Sequence, residues 1–192
     1  MNLVFDCREN KLISLFTEKS IPHVVESLPL GDICIRSNDG DIMILFERKT
    51  IADLLSSITD GRYEEQSFRL SESGIDRSKI YYIIEGNIYN FVGKGSGLYS
   101  KSTIHSCLYS LSYLKGFSVL CSNSLHHTFE IVEKFYNKLL VEKNTVPTNK
   151  GYIDSLKLTK KGNLTDDMVS VMMLAQIPKV SKNAADEIMK HF

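Results

Sequence analysis

The sequence predicts an α/β protein: a three-layer α/β/α domain followed by a small helical segment at the C-terminus. Short apolar runs typical of strands alternate with stretches whose apolar residues recur at helical spacing, which favours a sheet covered by helices on both faces. A polar, breaker-rich stretch at 144–152 is typical of a linker. We therefore predict a domain at 1–143, a linker at 144–152 and a helical region at 153–192 of the 192 residues.

The first half of the domain is predicted to be rich in strands. A first strand at Leu3–Phe5 precedes a helix marked by the apolar residues from Leu12 to Phe16. Three further strands are predicted at 23–26, 32–36 and 42–49. Asp39-Gly40 between the last two is typical of a hairpin turn, so these strands are expected to be antiparallel neighbours. The last strand is apolar until its final three charged residues, as expected of a central strand covered on both faces.

The second half alternates helices and strands. Thr50 is a predicted N-cap for a helix from Ile51 to Ile58, with Asp53 in the capping-box position. The remaining helices are predicted at 62–72, 100–115 and from Ser124 to Leu139, and the strands at 79–86 and 117–121. The glycine-rich stretch 93–97 is predicted to be a flexible loop. A phosphate-binding loop is disfavoured, because the stretch lacks the Gly-Lys-Ser/Thr ending of a Walker loop. In the C-terminal region, helices are predicted at 167–176 and 182–191 around a tight turn.

Composition excludes several classes of protein. Charged residues make up 24% of the chain, and no apolar run approaches the roughly 20 residues of a membrane-spanning helix. The formal net charge is zero, so bulk charge alone does not indicate a nucleic-acid partner. The four cysteines lack C-x-x-C spacing, which argues against a zinc site or a disulfide framework. The N-terminus lacks a secretion signal, and an intracellular protein is expected.

Acidic and basic residues collect at the predicted strand ends. Asp6, Asp32, Glu47 and Lys49 all lie there, with Asp53 on the following helix. Because side chains alternate along a strand, Glu47 and Lys49 share one face while the arginine between them points to the other. Two neighbouring carboxylates are unfavourable as free anions and become favourable when they share a divalent cation. A lysine beside such a cation can orient a water molecule, so these residue types suit phosphodiester hydrolysis.

The order and spacing of several motifs identify a known family. The motifs are Asp6-Cys7-Arg8-Glu9, Gly31-Asp32, Glu47-Arg48-Lys49 with Asp53, and Asp60-Gly61-Arg62-Tyr63 with Gln66, Arg69 and Leu70. From Leu3 to Leu140 the chain resembles the nuclease domain of XPF-type structure-specific endonucleases, of the PD-(D/E)XK kind. The resemblance implies a restriction-endonuclease-like fold. It also implies Mg²⁺- or Mn²⁺-dependent cutting of 3′-flap, fork or related branched DNA near junctions of duplex and single strand, in DNA repair or recombination.

The resemblance also implies a role for each matching residue. Asp6, Asp32 and Glu47 correspond to the acidic metal site and Lys49 to the catalytic lysine. The supporting residues are Arg8, Glu9, Arg48 and Asp53, with Arg62 and Gln66 at the edge of the site near the DNA phosphates. Some members carry two adjacent acids where this chain has Ala52-Asp53. Plain helix capping by Asp53, and by Asp6 or Glu9 at the first helix, is the competing interpretation of these acids.

The C-terminal segment resembles the first of the family's tandem helix-hairpin-helix units. Lys179 stands where the family has a hairpin glycine, and the sequence ends at Phe192 before a second hairpin fits. We therefore expect either a fragment of a longer protein or reliance on a partner chain, as a homodimer or a heterodimer with a related subunit.

The sequence leaves open an alternative function and the cellular compartment. The alternative function is a noncatalytic DNA-binding or dimerisation subunit, although the retention of Asp32, Glu47 and Lys49 favours an enzyme. The expected compartment is the nucleus for a cellular eukaryotic protein and the host cytoplasm for a viral one.

Overall fold

The computed structural model describes residues 1–93, 99–142 and 166–191. The chain divides into two compact units, Met1–Thr145 and Val146–Phe192. The predicted linker at 144–152 and most of the predicted loop at 93–97 lie outside the described residues. Among the helices in the described ranges, none is both long and apolar enough to cross a membrane.

A six-stranded mixed sheet forms the middle layer of the first unit, in the order β2-β1-β3-β4-β5-β6. β1 is parallel to β2 and antiparallel to β3, which is antiparallel to β4; β4, β5 and β6 are parallel to one another. The predicted hairpin between β3 and β4 is confirmed, and its turn places Gly40 at φ 94°. The strands are β1 Asn2–Asp6, β2 Val24–Glu26, β3 Ile33–Arg36, β4 Ile42–Thr50, β5 Ile80–Glu85 and β6 Ser118–Ser122.

Helices cover both faces of the sheet, so the predicted three-layer architecture is confirmed. The helices of this unit are α1 Asn10–Glu18, α2 Ile51–Thr59, α3 Arg62–Ser71, α4 Lys101–Tyr109 and α5 Leu125–Glu142, with a 3₁₀ turn at Arg77–Lys79. One core lies between the sheet and α2, α3 and α4, with Leu54, Leu70 and Ile104 fully buried. The second core lies on the opposite face, where Phe16 of α1 and Phe129 of α5 pack with ring centroids 4.6 Å apart.

β4 is the central strand on which the two cores meet. Leu45 belongs to the first core and Phe46 to the second, both nearly inaccessible to solvent. The same alternation carries Glu47 and Lys49 to the face of the first core and Arg48 to the face of the second.

The predicted helix at 100–115 differs from the structure at its C-terminal end. α4 stops at Tyr109 and continues as a π-helical turn, Ser110–Leu114, in which the Lys115 amide donates to the Ser110 carbonyl at 2.9 Å. The wider turn keeps Leu111 fully buried and leaves Leu114 61% exposed. The inserted residue of the π turn shifts the helical phase, so Leu114 does not share the buried face of Leu111.

The second unit is a helix, a tight turn and a second helix, as predicted. α6 spans Asp166–Leu174 and α7 spans Lys182–His191. Ser181 begins α7, because its Oγ accepts a hydrogen bond from the Ala184 amide at 3.2 Å. Lys179 in the turn has φ 76°, the left-handed conformation that suits glycine. The turn therefore has the backbone of a glycine hairpin although its residue is a lysine.

Replacing Lys179 by glycine is expected to stabilise the second unit by about 1 kcal/mol, because glycine adopts a positive φ without the Cβ penalty. Hydrogen exchange of the α6 and α7 amides measures the effect, and protection should increase. Lys182→Gly, which places glycine in the first turn of α7, is the control and should lower protection. Lower protection in Lys179→Gly would contradict the assignment of strain to this residue.

Candidate active site

Three acidic residues lie side by side at one edge of the sheet. In the strand registers Phe5 pairs with Ile33 and Ile33 pairs with Phe46. One residue further along, Asp6, Asp32 and Glu47 therefore stand in adjacent strands on the face of the first core. Backbone hydrogen bonds continue the ladder there, from the Asp6 amide to the Asp32 carbonyl and from the Asp32 amide to the Phe46 carbonyl, both at 2.8 Å.

Gly31 sets the path of the chain into Asp32. Its φ is +70°, and a Cβ built on it would lie 2.7 Å from Leu45 Cδ1 and 3.0 Å from the Phe46 carbonyl oxygen. Both the backbone conformation and the space therefore require glycine at this position.

Gly31→Ala is expected to lower the free energy of unfolding by about 2 kcal/mol, from backbone strain and from overpacking against Leu45. Chemical denaturation measures the loss. Gly74→Ala is the control, because Gly74 shares a positive φ of 76° but has open space around it. An equal loss in the two variants would show that the contact with Leu45 does not matter.

The Asp32 carboxylate is fixed by a backbone amide. Asp32 Oδ2 accepts a hydrogen bond from the Arg48 amide at 2.7 Å. Burial raises the pKa of Asp32 above its usual value, and the charge of Asp6 raises it further. The hydrogen bond from Arg48 and the nearby positive charge of Lys49 oppose that shift. The Asp32 carboxylate is therefore held in one orientation and is shielded from water.

Glu47, Lys49 and Gln66 form a connected group beside Asp32. Glu47 and Lys49 are each 8% exposed, and Lys49 Nζ lies 3.4 Å from Glu47 Oε1. Lys49 Nζ also donates to Gln66 Oε1 of α3. Burial, followed by the charge of Asp32, raises the pKa of Glu47 to about 7. Asp32 therefore lies close enough to Glu47 for its charge to oppose the ionisation of Glu47.

Asp6 is bound into the protein on both of its oxygens. Oδ1 accepts from the Arg8 amide at 2.9 Å and from Arg8 Nε at 2.6 Å, and Oδ2 accepts from the Leu28 amide at 2.9 Å. The hydrogen bond from the Arg8 guanidinium holds the pKa of Asp6 below its usual value. The carboxylate therefore joins β1 to the segment that leads into Asp32, and it keeps its charge.

Asp32, Glu47 and Gln66 open onto a cleft of about 100 Å³ between the segment before β3 and α3. The lining residues are Arg8, Leu28, Pro29, Leu30, Gly31, Asp32, Glu47, Gln66, Arg69 and Leu70. The side chains of the two lining arginines are largely exposed, 73% for Arg8 and 54% for Arg69. The cleft combines buried acids with accessible positive charge, which suits a phosphate group lying over a cation site.

The predicted supporting residues divide into three groups. Gln66 and Arg8 reach the cleft, whereas Arg48 and Glu9 pair with each other on the opposite face of the sheet, with Nη1 and Oε2 3.1 Å apart. Asp53 is exposed in the first turn of α2, where Thr50 is the N-cap: the Asp53 amide donates to Thr50 Oγ1 at 3.1 Å, and the Thr50 hydroxyl donates to the Asp53 carboxylate.

Arg62 is exposed and does not line the cleft. Its guanidinium lies 2.7 Å from Asp60 Oδ2 in the turn before α3. The structure therefore does not bring Asp53 or Arg62 to the acids, and their predicted contacts with the site stay predictions.

The donor set fits a hard divalent cation. Asp32 and Glu47 supply carboxylate oxygens that are shielded from water. Their two negative charges repel each other, and a shared cation would remove that repulsion. Within the described ranges, no group of three or more Asp, Glu, His or Cys side chains is drawn together as a metal site. The predicted metal roles of Asp6, Asp32 and Glu47 therefore stay predictions, with Asp6 oxygens already engaged by Arg8 and Leu28.

Two residues received no role from the sequence: Arg69, although it belongs to the family motif, and Glu85. Arg69 lies one turn beyond Gln66 on α3, so helical spacing from Gln66 was the available signal. Glu85 ends the buried strand β5, just as Glu47–Lys49 end β4, and its carboxylate pairs with Arg48. A charged residue at the end of an apolar strand was again the available signal.

The fold and the cleft together define the class of domain. A mixed sheet covered by helices, with two acids and a lysine at one edge, is typical of a restriction-endonuclease-like nuclease domain. XPF from Aeropyrum pernix has a similar structure, with a TM-score of 0.59 at 19% identity, over all of this chain and 81% of that one. The same protein in complex with DNA gives a TM-score of 0.54 at 20% identity, with the same coverage.

Residues 5–135 match the family model of the ERCC4 domain. The chain therefore belongs to the ERCC4 domain family, the family of the XPF-type nucleases.

Two curated relatives are named as endonucleases. The probable crossover junction endonuclease mus81 of Dictyostelium discoideum is 34% identical over 143 residues, which are 64% of this chain and 15% of that protein. The crossover junction endonuclease mus81 of Aspergillus fumigatus is 31% identical over 156 residues, 70% of this chain and 26% of that protein. The chain thus corresponds to about a quarter or less of the length of each.

Proposed function

We propose that the protein is a divalent-metal-dependent endonuclease that hydrolyses phosphodiester bonds in branched DNA near junctions of single strand and duplex. The observation that carries the proposal is the pairing of Asp32 with Glu47 in the cleft, next to a buried Lys49. Burial and mutual repulsion raise the pKa of Glu47 to about 7, so the pair is poised to exchange protons for a cation near neutral pH.

In this proposal Asp32 and Glu47 hold Mg²⁺ or Mn²⁺. A cation held there would supply a water molecule of lowered pKa and would offset negative charge on the phosphate. Lys49, held by Glu47 and Gln66, presents an ammonium group that orients the attacking water. Arg8 and Arg69 contact phosphates at the mouth of the cleft, where their guanidinium groups are accessible.

The proposed substrate and partner rest on the family. Branched DNA is the substrate class named in "crossover junction endonuclease", the name of both curated relatives. The proposed partner is a second chain, either another copy or a related subunit. Action on chromosomal DNA in the nucleus, or on viral DNA in the host cytoplasm, follows from the same proposal.

The experiment is cleavage of four end-labelled DNAs that share one sequence: a 3′-flap, a splayed arm, a plain duplex and a single strand. Each is incubated with Mg²⁺, Mn²⁺ or EDTA, and the cut is mapped to the nucleotide. We expect cutting of the branched DNAs within a few nucleotides of the junction, in either metal and not in EDTA.

Two results would contradict the proposal. Cutting at equal rates in duplex and branched DNA would remove the structure specificity. The second result is tight binding of the flap without cutting in either metal, even after a related subunit is added. This result would favour a function as a noncatalytic subunit instead.

A further inference from the structure

A buried polar network lies on the face of the sheet opposite the cleft. Its centre is Arg48, whose guanidinium makes three hydrogen bonds. Nε donates to Glu85 Oε2 at 2.9 Å and Nη2 donates to Glu85 Oε1 at 2.8 Å, while Nη1 donates to Glu9 Oε2 at 3.1 Å. The side chains of Arg48 and Glu85 are 15% and 12% exposed. A bidentate pair so shielded from water holds the guanidinium in one orientation.

Glu85 is in turn held by α5. Thr128 Oγ1 donates to Glu85 Oε2 at 2.8 Å and lies 2.9 Å from Ser122 Oγ. Thr128 and Ser122 are fully buried. The network thus connects the start of α5 and the end of β6 to the ends of β5 and β4, and through Glu9 to the start of α1.

Arg48 also acts on the cleft through its backbone. Its amide donates to Asp32 Oδ2 at 2.7 Å, and its chain neighbours are Glu47 and Lys49. A rotation of the peptide at Arg48 would lengthen the hydrogen bond to Asp32 and turn the side chains of both neighbours. The guanidinium contacts on one face therefore fix the carboxylate and ammonium groups on the other.

We propose that Glu85 is a positioning residue for the cleavage reaction, acting through Arg48, and that Thr128 orients Glu85. This inference rests on the function proposed above. Glu85 fixes the orientation of the Arg48 side chain, and the Arg48 amide fixes the Asp32 carboxylate. The same backbone segment orients the side chains of Glu47 and Lys49, the neighbours of Arg48.

The first test measures the Arg48 amide directly, in the metal-free protein. We expect hydrogen exchange at this amide to be at least about tenfold faster in Glu85→Gln than in wild type, because the bidentate contact is lost. The matched control is Glu26→Gln, which breaks the Arg36–Glu26 ion pair between β3 and β2 without touching the network. It should leave exchange at Arg48 unchanged.

The second test separates kcat from KM on the 3′-flap. Glu85→Gln should lower kcat by about 10- to 100-fold, the usual cost of losing a partner of a catalytic ligand, with KM changed by less than about threefold. Thr128→Val, which removes the hydroxyl at nearly constant volume, should lower kcat in the same way by a smaller factor. Thr128→Ser keeps the hydroxyl and should retain wild-type kcat. Ser57→Ala removes another buried hydroxyl, in α2, and should not change kcat.

Unchanged exchange at the Arg48 amide in Glu85→Gln would overturn the proposal, whether or not the protein cleaves DNA. A wild-type kcat in both Glu85→Gln and Thr128→Val would overturn it as well. If wild type does not cleave while Glu85→Gln still accelerates exchange, the endonuclease function fails and the link from Glu85 to Arg48 stands.

Discussion

Glu47→Gln is expected to abolish DNA cleavage and, in the metal-free protein at pH 8, to raise the free energy of unfolding. Cleavage should fall on the order of 10³-fold, because loss of a carboxylate ligand removes several kcal/mol of stabilisation from the cation site. Stability should rise because the charge on Glu47 is unfavourable in the folded protein, where burial and Asp32 raise its pKa to about 7.

The sign of the stability change follows from proton binding. Between pH 4.5 and 7 the folded protein holds a proton on Glu47 that the unfolded chain releases, so stability falls as the pH rises through this window. Above pH 7 the charged Glu47 destabilises the folded protein to its full extent. Glutamine has no charge to bury, and the variant should gain about 2 kcal/mol at pH 8 and nothing near pH 4.

Chemical denaturation at pH 4, 6 and 8 in EDTA measures this gain. Glu26→Gln, which breaks the Arg36–Glu26 ion pair of the edge strand β2, is the control and should lack the rising profile. A lower stability of Glu47→Gln than of wild type at pH 8 would contradict this expectation. It would show that Lys49 stabilises the charged Glu47 more than burial and Asp32 destabilise it.

Lys49→Ala is expected to lower cleavage by about 10²- to 10³-fold while the protein still binds DNA. Lys49 Nζ is held between Glu47 and Gln66 and is 8% exposed, so it contributes a directed ammonium group rather than general positive charge. Loss of that group should lower kcat with little change in affinity for the flap.

Lys79→Ala is the matched control, because it removes an exposed lysine at the start of β5. It should leave kcat unchanged. Fluorescence anisotropy with a labelled flap in Ca²⁺ measures binding separately from cutting. Equal losses of binding and of cleavage in Lys49→Ala would assign Lys49 to DNA binding rather than to the chemical step.

The architecture was readable from the sequence where local chemistry decides it. Asp39-Gly40 fixed the β3–β4 hairpin, and alternation along β4 assigned Glu47 and Lys49 to one face and Arg48 to the other. The caps at Thr50 and Ser124 follow the same local rules. These features depend on residues a few positions apart.

Features that depend on distant residues were not readable in this way. Arg48 and Glu85 are 37 positions apart, and nothing in either local sequence names the other as its partner. The hydrogen bond from the Leu28 amide to Asp6 likewise depends on how the chain returns to β1. The π turn at Ser110–Leu114 arises because Leu111 must reach the core beside β6, a requirement set by packing rather than by periodicity.

The most direct test of the proposed active site compares Asp32→Asn with Asp76→Asn in cleavage of an end-labelled 3′-flap with Mg²⁺. Each variant removes one negative charge from an aspartate that accepts a hydrogen bond from a backbone amide. Asp32 lines the cleft and accepts from the Arg48 amide, whereas Asp76 is exposed and accepts from the Ser78 amide in the turn before β5. We predict no detectable cut in Asp32→Asn and a junction-proximal cut at near the wild-type rate in Asp76→Asn. Cleavage by Asp32→Asn at the wild-type rate would contradict the assignment of this cleft as the active site.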